Sequence, residues 1–290
     1  MHPSYNPATS NIRIFEYPND VIKHMKQNDA PKQLLYLMQC SKRFHHKVFP
    51  YLPVQILAIN AKDGWWMRKL DNSLIQGTNF DEIPNGLWIT KRMGLRDFPN
   101  LLPQVLPKIT VIELEKVSFF GQAISCDDLV KLLSYGNVKI IELWSSPVKY
   151  GNEDVVPLDK MLQILSNIRC TSYSDDLPPF SVEAAEDLSK VIVSAKLVAF
   201  ALSADKDTFD FGLYKKFIGL NRQINFYTRF FDDDLEDDFI EELEHLNGIT
   251  LENGLTEYAP NVFDYRGIPE ETLAALEALY NAYLKLRIAK

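Results

Sequence analysis

The densest group of ionisable side chains in the sequence is the acidic run Asp-Asp-Asp-Leu-Glu-Asp-Asp at residues 232–238. Clustered carboxylates can hold a calcium ion, but a calcium loop needs ligands at alternating positions and a glycine at its sharp turn. No glycine lies between Asp232 and Glu244. Apolar residues at helical spacing accompany the run, so the pattern predicts an amphipathic helix with an acidic first turn. Such a helix start is solvated or serves as a docking patch for a basic peptide.

The other nucleophilic and metal-ligating residues do not form a recognisable catalytic set. His45 and His46 are adjacent, so they point apart on a helix, and no second pair of ligands is near in the sequence. Cys40, Cys126 and Cys170 are scattered and lack metal-binding spacing. The sequence has no Gly-x-Ser-x-Gly elbow and neither phosphate-binding glycine fingerprint. We therefore predict a protein that is not an enzyme and has no bound metal or cofactor.

Aromatic side chains recur near the ends of β-type runs, at Trp144, Tyr173, Phe200 and Tyr227. They either pack in the core or line one face of a sheet. Exposed aromatic rings are strong anchors for a protein partner, because they bury a large area with few rotatable bonds to freeze. On the exposed alternative, we predict a target-binding patch that favours a basic segment of the partner and consists of Trp144, Tyr173, Tyr227 and Asp233.

The elements that must position these residues form a repeat. Residues 109–114 read Ile-Thr-Val-Ile-Glu-Leu and residues 138–143 read Val-Lys-Ile-Ile-Glu-Leu, at an offset of 29 residues. Looser copies follow at residues 168–173, 195–200, 222–227 and 247–251. Most of the stretches between copies have the apolar period of a helix, among them residues 182–194 and 211–220. A strand followed by a helix cannot bury its apolar face alone, so such units stack into a solenoid.

The repeat makes a specific prediction about the sheet. All six copies should be parallel strands of one curved sheet. Equivalent positions are predicted at Val111, Ile140, Cys170, Leu197 and Ile224. Because side chains alternate along a strand, the residue after each of these should face the opposite side. The strand spacing is that of leucine-rich repeats, although the asparagine that normally follows each strand is missing. A final helix from Pro269 to about Ile288 is expected to cap the open end.

The segment before the repeats predicts short helices, one starting at Pro18 and the next at Pro31. Its motifs are Tyr17-Pro18-Asn19-Asp20-Val21-Ile22, Leu34-Leu35-Tyr36-Leu37-Met38 and Cys40-Ser41-Lys42-Arg43-Phe44. Together they resemble an F-box, which runs Leu-Pro, an acidic residue, paired aliphatics, a leucine-rich helix, then Cys-Lys and an aromatic. Here Tyr17 replaces the opening Leu, Ser41 separates Cys40 from Lys42, and Phe44 replaces the usual Trp. Alternatively, the segment is a small helical cap on the repeats.

The rest of the chain resembles an expanded nematode family of F-box-like proteins, through Leu87-Trp88-Ile89-Thr90 and Val156-Pro157-Leu158-Asp159-Lys160. The resemblance implies that the N-terminal helices bind the Skp-type adaptor of a cullin–RING ubiquitin ligase. It also implies that the repeats bind the protein to be ubiquitinated. The adaptor-binding residues that it implies are Pro18, Val21, Ile22, Leu34, Leu37, Met38 and Phe44.

The sequence therefore predicts an α/β protein with two parts. Residues 12–53 form an F-box-like helical module, and residues 54–290 form an irregular leucine-rich-repeat-like β/α solenoid with a C-terminal capping helix. The expected function is substrate receptor of a cullin–RING (SCF-type) ubiquitin ligase, which binds an unknown protein target. The alternative is a non-catalytic protein-binding scaffold whose F-box-like segment does not engage the adaptor.

Charge and composition narrow the range of partners. The chain of 290 residues has a net charge of −8, yet residues 1–50 carry seven Lys/Arg against three Asp/Glu. The remaining residues are acidic, which argues against nucleic acid as the main ligand. No run approaches the length of a membrane span, and the N-terminus lacks a signal-peptide pattern. We expect a cytoplasmic or nuclear protein that is not bound to a membrane.

Overall fold

The structure is a computed structural model that describes Tyr36, Met38 and residues 51–97, 100–135, 137–175 and 177–288. The chain divides into two units, Met1–Tyr51 and Leu52–Lys290. In the first unit, Tyr36 and Met38 are both helical; Tyr36 is exposed and Met38 is buried. The other residues expected to bind the adaptor lie outside the described residues: Pro18, Val21, Ile22, Leu34, Leu37 and Phe44. The F-box-like module therefore stays a prediction.

The second unit is a mixed α/β structure. Its described strands are β1 (Leu52–Asn60), β2 (Gly64–Lys69), β3 (Leu74–Gly77), β4 (Leu87–Arg96), β5 (Ile109–Ile112), β6 (Lys116–Phe120), β7 (Ile124–Ser125), β8 (Ile140–Trp144), β9 (Val148–Lys149), β10 (Cys170–Asp175), β11 (Ala199–Ala204), β12 (Asn225–Phe230) and β13 (Val262–Asp264). Its described helices are α1 (Leu101–Val105), α2 (Cys126–Leu133), α3 (Leu158–Ile164), α4 (Val182–Glu186), α5 (Phe211–Leu220), α6 (Asp237–Asn253) and α7 (Glu270–Ile288). No helix among the described residues is both long enough and apolar enough to cross a membrane.

The central sheet is largely parallel and follows the order of the chain. Its strands lie side by side in the order β1, β4, β6, β8, β10, β11, β12 and β13, and all of these neighbours are parallel. The hairpin of β2 and β3 extends the β1 edge in antiparallel fashion, and β5 pairs with β4. The predicted α/β class and parallel strands are confirmed. The leucine-rich-repeat-like solenoid goes further than this topology and stays a prediction.

The clearest sequence repeat is not a structural repeat. Ile140 pairs with Lys116 of β6, whereas the predicted equivalent, Val111, lies in β5 and pairs with Trp88 of β4. The reason is that β4 pairs with two strands, with β5 beside its first residues and β6 beside its second half. The prediction that residues 109–114 and 138–143 are equivalent is wrong.

The other copies match the structure in part. Ile140 and Cys170 are in register as predicted, but Ala199 and Asn225 take the places expected for Leu197 and Ile224. The last predicted strand, residues 247–251, is wrong because it lies inside α6. There the Asn247 side chain bonds to the backbone of Phe263, so a polar residue read as the start of a strand ties a helix to β13 instead.

The core lies on one face of the sheet, which we call the helix-facing side. One register row on this side consists of Val117, Ile141, Thr171, Phe200 and Phe226, and all of them are buried. Helices α2, α3, α5 and α6 add buried residues to the same core; for example, the Phe217 ring of α5 lies 5.8 Å from that of Phe226. Alternation along the strands puts the neighbouring residues on the opposite side, which we call the open face.

Helix α7 lies against the open face at the far end of the sheet. The Asn225 amide nitrogen donates to the carbonyl oxygen of Tyr280 at 3.1 Å, and the rings of Tyr227 and Tyr280 are 5.6 Å apart. The predicted C-terminal helix is therefore present, and it covers the start of β12 on the open face. The rest of that face, over β4 to β11, includes the candidate site.

Candidate functional site

A trough of small side chains runs across the middle of the open face. One register row consists of Ala58, Gly94, Ser118, Glu142, Ser172 and Ala201. A Cβ atom added at Gly94 would meet no heavy atom within 4 Å, so the space above this position is free. Glu142 is the one long side chain in this stretch of the row. Apart from Glu142 the row therefore consists of small residues, and Ala58 and Gly94 line one of the depressions described below.

The carboxylate of Glu142 is held in place by its neighbours on β6. The Lys116 ammonium lies 2.6 Å from one carboxylate oxygen of Glu142, and the Ser118 hydroxyl donates to the other at 2.7 Å. The charge in the trough is thus compensated within the protein. The trough itself offers polar and small groups rather than a free charge.

A row of aromatic and cationic side chains borders the trough at the carboxyl ends of β4, β6 and β8. The Arg96 guanidinium lies 4.3 Å from the centre of the Phe120 ring, and that ring stacks on Trp144 with 5.7 Å between centroids. Cation–π and stacked contacts of this kind hold large side chains in defined positions. The row Arg96, Phe120 and Trp144 is therefore an organised apolar and cationic strip beside the small-residue trough.

Two depressions flank this row and have Arg96 and Phe120 as shared lining residues; we call the two together the groove. One is about 300 Å³ and extends to Trp144 and Asp175, and the other is about 230 Å³ and extends to Trp66 of the hairpin. The indole nitrogen of Trp144 is buried and has no hydrogen-bond partner among the described residues. An unsatisfied buried donor is rare in proteins and is destabilising. The groove thus has an aromatic floor and an unused donor beside it.

The turns at this edge repeat the same backbone geometry. Asp97, Gly121, Ser145 and Asp175 end or follow successive strands, and each has a positive φ. Three of them donate to the next strand: the N–H of Asp97 to Phe120 O at 2.8 Å, of Gly121 to Trp144 O at 2.9 Å, and of Ser145 to Ser174 O at 3.1 Å. Glycine and aspartate tolerate this left-handed conformation better than most residues. Asp97 and Asp175 are both exposed, so carboxylates line the rim of the groove.

The predicted target-binding residues lie in different parts of the structure. Trp144 lies in the groove and is half-buried, as an anchor should be. The prediction that Tyr173 is exposed is wrong: the residue is 4% exposed, and its ring stacks on that of Phe200 at 5.4 Å. Tyr173 pairs with Leu143 and Trp144 pairs with Ser174, so the two aromatics lie on opposite faces. Burial raises the pKa of the Tyr173 phenol well above its usual range.

Tyr227 is on the open face but not in the groove. Its single hydroxyl proton lies between two acceptors, Asp264 at 3.1 Å and Glu277 of α7 at 3.3 Å. Burial, and then the adjacent Asp264 carboxylate, raise the pKa of Tyr227 above its usual range. Since β10 and β11 lie between β8 and β12, Tyr227 is not a neighbour of Trp144 in the sheet.

Asp233 lies in the loop after β12, where it is exposed and forms an ion pair with Arg266. The acidic run that contains it leads into α6, so the predicted amphipathic helix with an acidic first turn is confirmed. The predicted patch is therefore not one cluster, because its members occupy the groove, the core, the α7 contact and an outer loop.

Sequence reasoning missed Arg96 and Phe120. The strand register would have identified them. Phe120 pairs with Trp144 and Arg96 pairs with Phe120, so the three residues lie in one row across the sheet. That row could not be assigned while β5 was taken for the equivalent of β8. Among the described residues, no group of three or more His, Cys, Asp or Glu side chains is arranged to hold a metal ion.

Comparisons with known proteins leave the family of the chain open. Neither the protein-family models nor the curated proteins include one that matches this sequence.

Proposed function

We propose that the chain is a substrate receptor of a cullin–RING (SCF-type) ubiquitin ligase, and that its target protein binds in the groove of the open face. The receptor has no catalytic step of its own. It raises the local concentration of the target beside the ubiquitin-conjugating enzyme. The observation that carries the target-binding part is the groove along Arg96, Phe120 and Trp144.

The chemistry of the groove suits a basic, extended segment of a protein. Its floor of stacked rings offers area for apolar contact, and aromatic residues of this kind dominate binding energy at protein interfaces. The rim carries Asp97 and Asp175, which would attract cationic side chains. Arg96 already occupies the face of the Phe120 ring, so a cationic side chain of the target would bind beside Trp144.

The adaptor-binding part rests on the F-box resemblance of the N-terminal segment. A pull-down of the full chain with a Skp-type adaptor tests it. We expect capture by the parent and loss of capture in Pro18→Ala with Leu37→Ala, while Trp144→Ala captures the adaptor as the parent does. If the folded double variant still captures the adaptor, the assignment is wrong. If the parent captures no adaptor but binds a target, the chain is the alternative, a scaffold without ligase function.

The target-binding part is tested on a partner found by proximity labelling. We expect Trp144→Ala and Phe120→Ala each to weaken the partner by 10-fold or more, about 1.4 kcal/mol, the range of a hot-spot residue. Tyr135→Ala is the matched control, since Tyr135 is an exposed aromatic of the described residues outside the groove. Binding should also weaken as salt rises, because exposed charges are screened over about 8 to 10 Å.

Asp233→Lys tests whether the outer loop after β12 contributes to target binding. An effect smaller than that of Trp144→Ala is expected, because Asp233 is already paired with Arg266. Parent-like binding by both groove variants would contradict the proposed site.

A further inference from the structure

Four cationic side chains meet at the opposite edge of the sheet, at the amino ends of its strands. Lys139 precedes β8, Arg169 precedes β10, Lys196 precedes β11, and Arg287 lies in the last turn of α7. They line a depression of about 490 Å³, which we call the amino-edge pocket. Its remaining wall includes the apolar side chains of Val138, Ala195 and Val198.

The backbone forces these cations together. The N–H of Arg169 donates to the carbonyl oxygen of Lys139 at 2.8 Å. The N–H of Val198 donates to the carbonyl oxygen of Arg169 at 2.7 Å. Three adjacent chain segments thus lie at strand spacing, about 5 Å apart, and each brings one cation. The Arg169 guanidinium also donates to the carbonyl oxygen of Arg287 at 3.4 Å, which fixes it at the end of α7.

The positive charge of this pocket is not compensated within the described part of the chain. None of the four cations forms an ion pair with a described carboxylate. By contrast, Lys116, Lys206 and Lys215 each have such a partner. The Lys196 ammonium donates to Asn167 Oδ1 at 2.6 Å, which is a neutral group. Neighbouring like charges repel, so an anion in the pocket would relieve the repulsion.

We propose that the amino-edge pocket binds an acidic segment of a partner protein. This site is separate from the groove and does not depend on the function proposed above. Carboxylate side chains would meet the four cations, and the small apolar wall would accept the residues between them. A nucleic acid is disfavoured because residues 51–290 carry 24 Lys/Arg against 36 Asp/Glu, which repels a long polyanion. The residues that line the pocket also include no aromatic ring on which a base could stack.

Fluorescence anisotropy of the full chain with a labelled peptide of alternating Glu and Ala tests the proposal. We expect the Glu peptide to bind and its Gln counterpart not to bind. Lys139→Gln with Lys196→Gln should weaken the Glu peptide about 10-fold, since each exposed charge pair contributes a few-fold. The control is Lys62→Gln with Lys216→Gln, which removes the same charge at exposed positions outside the pocket. This control and Trp144→Ala should both bind like the parent.

Three results would overturn the proposal. Equal weakening by the two lysine pairs would mean that only net charge matters. Tighter binding of a single-stranded RNA of similar length, lost in the Lys139 and Lys196 variant, would make the pocket a nucleic-acid site. Failure of the parent to bind the Glu peptide at about 1 mM, the weak end of specific affinity, would leave the pocket without this ligand.

Discussion

One face of the same sheet has two very different regions. Over β4, β6 and β8 it is open, with Arg96 exposed and Phe120 and Trp144 half-buried. Over the first residues of β12 and β13 it is closed, with Asn225 and Val262 fully buried. These positions share one side of the sheet, so the difference comes from α7 and neighbouring packing and not from the strands themselves. Exposure on this face is therefore decided by what covers a strand.

The two regions also differ in their polar contacts with α7. In the covered region, the Asn225 amide nitrogen donates to Tyr280 of α7, and the Tyr227 hydroxyl contacts Asp264 and Glu277. In the open region, Arg96, Phe120 and Trp144 contact one another and line the groove. Buried polar atoms without a partner are found in both regions, at Asn225 Oδ1 and at the Trp144 indole nitrogen, among the described residues. We therefore expect the covered region to govern stability and the open region to govern binding.

The largest effect that separates the two regions should come from the buried side of α7. Leu276 is fully buried, and Leu276→Ala should lower the free energy of unfolding by about 2–5 kcal/mol, because it removes apolar contacts and leaves a cavity. Leu286→Ala in the same helix is the control; Leu286 is exposed, and its loss should change stability by less than about 0.5 kcal/mol. Urea denaturation measures both. Equal losses would show that α7 contributes no specific packing.

A smaller effect should appear at alkaline pH in the covered region. Because the pKa of Tyr227 is raised in the folded protein, its stabilising effect is complete below the ordinary tyrosine pKa of about 10 and is lost as the pH rises further. Near pH 8, Tyr227→Phe should be less stable than the parent by about 1 kcal/mol, because it removes the hydroxyl that Asp264 and Glu277 share as acceptors.

The difference between Tyr227→Phe and the parent should shrink above about pH 10, since only the parent can ionise at this position. Unfolding by urea at a series of pH values gives the comparison. A gap that stays constant with pH would mean that Tyr227 is not protected from ionisation by α7.

The smallest effect is expected from the ion pair in the open region. Lys116 and Glu142 are each partly exposed, so Glu142→Gln should cost less than about 1 kcal/mol of stability. High salt should reduce this cost, because it screens exposed charges. A loss as large as that of Leu276→Ala would show that the open region also holds the fold together, and the distinction between the regions would fail.

Local patterns were enough to find several elements of the fold. The predicted helix at residues 211–220 coincides with α5, where Asp210 accepts a hydrogen bond from the N–H of Leu213 and so starts the helix. The helix predicted at residues 182–194 is shorter, because α4 ends at Glu186 and Asp187 caps a separate turn at Leu188–Lys190. Capping chemistry is local, which is why it can be predicted from neighbouring residues.

The strand register, and the part of the sheet that α7 covers, could not be predicted in the same way. An error of one residue in strand register moves a side chain to the other face of the sheet. The prediction that Tyr173 and Trp144 share a face contains an error of this size, because Trp144 pairs with Ser174. The repeat itself gives no signal that β5 pairs with the first residues of β4 and β6 with its second half. The place where α7 lies on the sheet depends on contacts such as that between Asn225 and Tyr280, which are 55 residues apart in the chain.

The left-handed turns at the carboxyl edge have a consequence for how this architecture can vary. Asp97, Gly121 and Ser145 are 24 residues apart in turn, but Asp175 follows Ser145 by 30. The longer interval adds no shift between β8 and β10, which stay in register from Ile140 to Trp144. These four strands thus end in the same left-handed backbone conformation, although the intervals between their turns differ in length. Loops behind the turns can therefore lengthen or shorten between related proteins, while the surface presented by the strands keeps its layout.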